Sequence, residues 1–195
     1  MAESNITKQA LANGLKELMA VQSFEKISVG QICDKCHMSR QSFYYHFRDK
    51  YDLLNWICDE DFAPVFLISD EENRWIVIEE ICRIFYKNKP FYQCALQING
   101  QNSMTDHIRE IMIPALSVRL KDILQQQNAD ALPETYAEFY IHLFIDIFLC
   151  CINRWILDKN DIPLEVLLAM LHTLTTNVTP AIIQQLTPDA PISIK

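Results

Sequence analysis

At 195 residues the chain is long enough for one large or two small domains, and half of it is hydrophobic while only three residues are glycine, which favours an all-helical protein. Its formal net charge of −8 argues against non-specific binding to polyanions. Residues 1–52 hold seven Lys/Arg against six Asp/Glu, a balance of +1, whereas the remaining ten basic and nineteen acidic residues give −9. The sequence shows no signal-peptide pattern and no apolar run of spanning length, which predicts a cytoplasmic protein.

The N-terminal segment predicts an amphipathic helix of about fifteen residues that closes a three-helix core. Its apolar stripe can pack on the two helices that follow. The stripe consists of Ile6, Ala10, Leu11, Leu15, Leu18 and Met19.

Residues 28–50 predict two short helices joined by a tight turn. Ser28 with Gln31 three positions later forms the capping-box pattern of a helix start. On the second helix Phe43 and Phe47, four residues apart, can point inward together. The other positions of this helix are hydrogen-bond formers, which a DNA major groove can accept: Arg40, Gln41, Ser42, Tyr44, Tyr45 and His46.

These residues resemble the DNA-binding domain of the TetR family of bacterial transcription regulators. The family's cap-Arg-x-Ser/Thr-Phe-Tyr-Tyr-His-Phe run stands here at residues 39–47, and the match extends over about residues 7–62. His37 occupies the turn where the family usually has Gly, and His tolerates a positive φ better than most residues. The resemblance implies an all-α fold, with an N-terminal helix-turn-helix DNA-binding domain and a C-terminal helical ligand-binding and dimerisation domain.

The resemblance also implies specific DNA contacts. Three side chains would face base edges: Arg40, Gln41 and Ser42. Those expected on phosphates, sugars or bases are Tyr44, Tyr45 and His46. The sugar-phosphate backbone would be met by Ser28, Ser39 and Lys50. Contacts at Gly30 would be sparse, because relatives often carry a long polar residue there. The alternative is that the tyrosines simply pack and Arg40 is a solvated surface charge.

The cysteines offer a competing interpretation of the same segment. Cys33, Cys36 and His37 match the C-x-x-C-H spacing of covalent haem attachment and could also ligate a metal. However, both sulfurs fall on the apolar stripe with Val29 and Ile32, and haem attachment of that kind requires export. We therefore predict no cofactor and no metal, and interpret the seven cysteines as small buried hydrophobes. A redox-sensing role for one of them stays open.

The remaining sequence predicts further helices separated by modest breaks. A fourth helix begins after the capping residue Asp49, and Pro64 marks a kink or end in it. Pro114 should bend or split a later helix, while Pro133 and Pro163 suit the first turns of the last two. The helices after the fourth are predicted at 72–87, 91–98, 104–127, 133–157 and from 163. The predicted domains are 1–50 for DNA binding, with a linking helix at about 50–66, then 67–187 for regulation and dimerisation, and 188–195 as a loose tail.

The last two predicted helices are apolar around most of their circumference, so they need partners on several sides. In the TetR family the corresponding helices form a four-helix bundle with those of a second subunit. A two-fold homodimer would place two recognition helices about one turn of DNA, roughly 34 Å, apart on a palindromic operator. The alternative is that these faces belong to the core of a monomer.

Family members usually bind a small-molecule effector in the second domain. The polar and aromatic residues best suited by type to an effector pocket are Trp75, His107, His142 and Trp155. The Phe91-Tyr92 region after the Lys-x-Lys-Pro of residues 87–90, together with the chain length, also resembles a subgroup that includes an activator of dihydroxyacetone kinase genes. In that activator a partner protein, rather than a free ligand, is thought to act on the regulatory domain.

Three functions from different classes therefore compete. A homodimeric, sequence-specific transcription regulator explains most of the sequence. A co-regulator that acts mainly through protein–protein interaction is the alternative. An enzyme is not expected, because the sequence has no nucleophile elbow, no phosphate-binding glycine loop and no HExxH. The operator, the effector and the sign of regulation stay open.

Overall fold

The computed structural model describes residues 2–67, 75–98, 100, 103–126, 134–158 and 162–178. These residues form helices and connecting turns, without a strand among them, which confirms the predicted all-α class. The α-helices are α1 Ala2–Met19, α2 Val29–Lys35, α3 Arg40–His46, α4 Lys50–Phe66, α5 Ile76–Lys87, α6 Lys89–Ala95, α7 Met104–Gln126, α8 Glu134–Leu157 and α9 Leu164–Thr173. A 3-10 turn at Phe24–Lys26 precedes α2, and a π-helical turn at Leu174–Val178 follows α9.

The chain divides into two compact units, of which the first comprises Met1–Leu67 and Ile84–Ile108. In this unit α1 packs against α2, α3, α4 and α6. Leu11, Leu15 and Met19 of the predicted stripe are buried and close a helical core, whereas the prediction is wrong for Ile6, which is 68% exposed. Fully buried side chains from four helices meet there, among them Leu11, Leu15, Ile32, Phe43, Leu53 and Leu54.

Residues 84–108 cluster with this first unit, whereas the sequence assigned them to a regulatory domain beginning at 67. The physical reason lies in α6. The buried Tyr92 donates its hydroxyl to Asp61 of α4 at 2.9 Å, and Lys16 of α1 pairs with the same carboxylate at 3.2 Å. Lys16 also lies 5.2 Å above the Phe91 ring. The predicted domain boundaries are functional divisions, and they stay a prediction.

The second unit comprises Ile68–Arg83 and Arg109–Lys195. Arg109 of α7 pairs with Asp146 of α8 at 2.8 Å. Helix α8 buries one face, which includes Ile141, Ile145, Phe148, Ile152 and Ile156. Its other side leaves large apolar residues exposed, as does one side of α9: Tyr136, Phe139, Leu143 and Ile147 on α8, and Val166 and Met170 on α9.

The prolines act partly as predicted. Pro64 lies inside α4, two residues before its end at Phe66. Pro163 is the N-cap of α9. Helix α7 continues through Pro114, so the predicted split there does not occur. Pro133 and the predicted tail at 188–195 lie outside the described residues.

One helix among the described residues, α8, is long and apolar enough to cross a membrane by length and composition. The prediction that no apolar segment reaches membrane-spanning length is therefore wrong for α8. Core helices of soluble proteins share this length and composition, and 44% of the most apolar 18-residue stretch of α8 is buried.

Candidate nucleic-acid interface

The site begins at the start of α2, where the predicted capping box is present. Gln31 donates its backbone N–H to Ser28 Oγ at 3.2 Å, and the Gln31 side-chain carbonyl accepts from Ser28 N at 2.8 Å. Ser28 Oγ also donates to that carbonyl at 3.1 Å. The Ser28 hydroxyl therefore donates one hydrogen bond and accepts another within the capping box, so its hydrogen is already in use.

The turn between α2 and α3 has the left-handed residue that the sequence predicted. His37 has φ 55°, the one positive φ at a non-glycine residue in the described chain. Met38 N donates to Cys33 O at 2.9 Å, and His37 N donates to Asp34 O at 3.3 Å. These two bonds form a Schellman motif, which ends α2 by satisfying its last carbonyls. The turn geometry thus follows from helix capping although glycine is absent.

Ser39 caps α3, accepting the Ser42 backbone N–H at 3.0 Å. The predicted inward pair is confirmed, because Phe43 and Phe47 are both buried and their ring centroids lie 5.8 Å apart. Lys8 of α1 lies 5.7 Å above the Phe47 ring and so helps to fix this side of α3.

The outward side of α3 presents the predicted polar face. Arg40 and Gln41 are exposed, as are Tyr44 and Tyr45 with 57% and 82% of their surfaces in solvent. Ser42 and His46 are half-buried. Positions four apart share a helix face, so Arg40 lies beside Tyr44 and Gln41 beside Tyr45. Within the described chain, the side chains of Arg40, Gln41, Tyr44 and Tyr45 form no hydrogen bond or ion pair, and their polar groups are available to a ligand.

Lys50 differs from the other predicted contacts. Its ammonium donates to the carbonyls of Phe24, Glu25 and Ile27 at 2.8, 3.1 and 2.9 Å. Burial lowers its pKa, because desolvation disfavours the charged form, and Glu25 opposes that shift. All three N–H donors have acceptors, so Lys50 ties the 3-10 turn to α4. A phosphate contact would require it to share or release one of these bonds.

Two family models match the sequence. One, described as bacterial regulatory proteins of the tetR family, covers residues 13–57, and the other, a transcriptional regulator C-terminal region, covers residues 73–177, more than half of the chain.

The chain belongs to the TetR family.

Individual relatives agree with this assignment. The chain is 34% identical to the HTH-type dhaKLM operon transcriptional activator DhaS of Lactococcus lactis over 96 residues, 48% of this chain and 50% of the relative, so the match spans about half the length of that protein. It is 21% identical to the transposon Tn10 TetC protein of Escherichia coli over 71% of this chain and 79% of that one.

Solved structures share the fold. The dihydroxyacetone kinase operon activator DhaS has a TM-score of 0.67 at 21% identity, covering 91% of this chain and 97% of that one. A tetR-family transcriptional regulator from Streptomyces coelicolor has a TM-score of 0.63 at 16% identity, covering 96% and 90%. Both family models describe regulatory proteins, so this TetR-family chain is a transcription regulator and not an enzyme. The resemblance to the DhaS subgroup is confirmed.

The residues predicted for an effector pocket have separate surroundings in this TetR-family regulator. His107 pairs with Asp59 at 2.9 Å in the first unit. In the second unit Trp155 is buried and donates to Ile162 O at 2.7 Å, the Trp75 ring lies edge-on to His172, and His142 is exposed. A cavity of about 680 Å³ in this unit is lined by none of these four predicted residues. Its lining is Glu165, Val166, Ala169, Met170, Thr173 and Leu174. The pocket assignment stays a prediction.

The interpretation of the cysteines as buried hydrophobes holds for Cys33, Cys58 and Cys82, but it is wrong for Cys150, which is exposed. Cys33 is buried and Cys36 is half-buried, with its Sγ donating to Ala10 O at 3.0 Å. Burial raises the pKa of both thiols. Among the described residues there is no group of three or more His, Cys, Asp or Glu side chains that could hold a metal ion.

Sequence reasoning missed the relation between Gly30 and Arg40. The two residues lie on different helices, yet the guanidinium of Arg40 rests against the Gly30 backbone. The available signal was a glycine within the first turn of a helix, where this residue lowers stability unless packing requires it.

Proposed function

We propose that this regulator binds a palindromic operator as a homodimer, with α3 of each subunit in a major groove, and that an effector or partner protein acting on the C-terminal region controls that binding. The outward face of α3 carries the proposal. Four large or polar side chains there, Arg40, Gln41, Tyr44 and Tyr45, have no internal hydrogen bond within the described chain, while the opposite face is anchored by two buried phenylalanines. A rigid helix with an unpaired polar face suits groove recognition.

The proposed base contacts come from the first turn of α3. Arg40 would read guanine, and Gln41 would read adenine, through the bidentate pairs that their planar groups favour. Ser42 is half-buried and its reach is shorter. Tyr44, Tyr45 and His46 would contact phosphates, sugars or bases from the next turn.

The proposed backbone contacts differ in how available their donors are. Ser39 Oγ accepts the Ser42 N–H, which leaves its hydroxyl hydrogen for a phosphate oxygen. Ser28 and Lys50 already donate within the chain. We therefore rank Ser39 above Ser28 and Lys50 as a phosphate contact.

The exposed apolar faces of α8 and α9 support the homodimer. Phe139 and Ile147 on α8, and Met170 on α9, are exposed by 71%, 51% and 55% in the single chain. Exposed apolar side chains of this size are unfavourable in water and are typical of subunit interfaces. TetR-family regulators typically bind operator DNA as dimers, which agrees with this use of the surface.

Control at the C-terminal region is the least specified part of the proposal. Trp75, His107, His142 and Trp155 remain candidate effector contacts, each with the surroundings given above. We also propose that the protein acts in the cytoplasm, where operator DNA is accessible.

The test is selection of bound DNA from a random pool, with the solution mass measured alongside. We expect a palindromic consensus and a mass of twice that of the chain. A bound pool without any consensus at low salt, or an asymmetric consensus bound by a monomer, would contradict the proposal. A partner protein that co-purifies while no DNA is selected would favour the co-regulator instead.

A further inference from the structure

We infer that Gly30 of α2 is a positioning residue for Arg40 of α3: the absence of a side chain at position 30 provides the surface on which the guanidinium lies, and so determines the direction from which Arg40 meets the operator. The inference rests on the proposed function, because it concerns how one predicted base contact is oriented.

The contact between the two residues is close. A Cβ atom built on Gly30 would lie 2.6 Å from Nη2 of Arg40 and 3.3 Å from both its Cζ and its Nε. Three guanidinium atoms therefore pass directly over the Gly30 backbone. Any other amino acid at position 30 would force this group to move, because real Cβ atoms do not approach a neighbour to 2.6 Å.

Glycine is an unfavourable choice at this position unless it has such a role. Gly30 is the second residue of α2 and is buried. Within a helix, glycine is less favourable than alanine because it loses more backbone freedom on folding. Its backbone φ is not positive here, so no turn geometry requires glycine. What glycine provides at position 30 is space for the Arg40 guanidinium, the end of a flexible side chain that a Cβ atom would displace.

A second observation places the Arg40 charge along the same face of α2. Cys33 lies three residues after Gly30 and hence on its side of the helix. The positive charge of Arg40 acts on the Cys33 thiol and partly opposes the rise in its pKa that burial causes. The Cys33 Sγ also donates to Ser39 O, next to Arg40, at 3.7 Å. The Arg40 charge therefore lies close enough to α2 to act on Cys33 as well as to contact Gly30.

This placement has a functional consequence. A planar guanidinium reads guanine through two parallel hydrogen bonds, so its discrimination depends on orientation. A side chain that already rests on a flat backbone surface loses less freedom when it binds. Gly30 therefore contributes to base discrimination without touching DNA itself.

The experiment is a double-variant cycle of Gly30→Ala and Arg40→Ala in the full chain. Each protein is assayed on its selected operator and on operators with single base-pair changes. We expect Gly30→Ala to lower discrimination at the base pair read by Arg40 by about tenfold, the order of one bidentate contact. In the Arg40→Ala background the same change should leave discrimination unaltered, because no guanidinium remains to be displaced.

A thermal melt separates positioning from folding. With Arg40 removed, Gly30→Ala should leave the melting temperature equal or higher, since alanine is the better helix former. If Gly30→Ala alone does not fold, recovery in the double variant supports the inference, and failure of both variants to fold overturns it.

The two proposals fail in different ways. Unchanged discrimination in a folded Gly30→Ala protein overturns the positioning role and leaves the proposed function intact. If Gly30→Ala lowers base-pair discrimination equally with and without Arg40, the positioning role is likewise overturned and the proposed function is left intact. A wild-type protein without any base-pair preference would overturn both proposals together.

Discussion

The outward face of α3 and the exposed faces of α8 and α9 both leave large side chains in solvent, but they differ in chemistry. On α3 the exposed groups are Arg40, Gln41, Tyr44 and Tyr45, each of which carries a polar end. On α8 and α9 they are mostly hydrocarbon, as at Phe139 and Ile147. Hydrogen-bonding ends suit the grooves and phosphates of DNA, whereas hydrocarbon suits a second protein surface. The chemistry of the exposed atoms, rather than exposure alone, therefore indicates which kind of partner each surface binds.

The largest effect should come from placing a charge on the apolar face. Ile147 is half exposed in the single chain, so Ile147→Glu should leave the subunit folded but bury an unpaired carboxylate in a dimer. We expect monomers and a loss of operator affinity on the order of 100-fold, since two half-sites would no longer be bound together. Light scattering and DNA titration measure both quantities.

The matched control is Glu138→Gln, which removes a charge from an exposed position of the same helix. It should remain dimeric and bind normally. An Ile147→Glu protein that stays dimeric would show that the exposed α8 face is not the subunit interface.

Cys150 provides a chemical readout of the same surface. It is exposed and lies three residues after Ile147, on the same side of α8. In a dimer its alkylation should be slow, and Ile147→Glu should accelerate it. Cys58 and Cys82 should stay unreactive in both proteins, because they are buried and burial raises the pKa of Cys82 to about 12. Mass mapping of alkylated peptides measures this, and equally fast Cys150 labelling in both proteins would contradict it.

Among the α3 contacts the largest effect should come from Arg40→Ala. Loss of one bidentate base contact should cost about 1–3 kcal/mol of site-specific binding and relax the preference at one base pair. Titrations of the consensus and its single-base variants measure this. The control is Arg48→Ala, whose exposed side chain lies just beyond α3 and should affect all sequences alike. Equal losses for Arg40→Ala on consensus and random DNA would show that Arg40 reads no base.

A substitution at Lys50 tests whether this lysine contacts a DNA phosphate, as the family resemblance implies, or instead stabilises the fold. Lys50→Met leaves three carbonyls without their donor, so it should lower the free energy of unfolding by about 1–3 kcal/mol. Lys26→Met, at an exposed lysine of the same 3-10 turn, should change it by no more than about 0.5 kcal/mol. Denaturant titration gives both values. A stable Lys50→Met protein whose salt dependence of DNA binding falls by about one ion would instead indicate a phosphate contact.

Local features of the site were predictable because their causes lie within a few residues. The capping box of Ser28 and Gln31, the left-handed His37 and the inward pair of Phe43 and Phe47 all depend on spacings of four residues or fewer. Helix periodicity and capping encode such features directly.

The features that escaped prediction depend on distant pairs. Lys50 bonds to carbonyls 23 to 26 residues earlier, and Tyr92 joins the first unit through Asp61, 31 residues earlier. Periodicity states which face of a helix is buried but not which helix covers it. For the same reason, residue type alone could not predict whether Trp75, His107, His142 and Trp155 line one cavity.

The smallest effect should come from the tyrosine hydroxyls, and it separates two ways of using the α3 face. Tyr45 is the more exposed of the pair, and its ring lies edge-on to His46, so Tyr45→Phe should preserve both fold and ring packing. If the hydroxyl binds a phosphate, affinity should fall by roughly 0.5–1.5 kcal/mol, equally for all sequences. Tyr44→Phe is the matched comparison, with its ring packed edge-on to Phe43. Titration of the consensus and of its single-base variants measures both. A loss confined to one base pair would assign the Tyr45 hydroxyl to a base edge, and no loss at all would leave only its ring in contact with DNA.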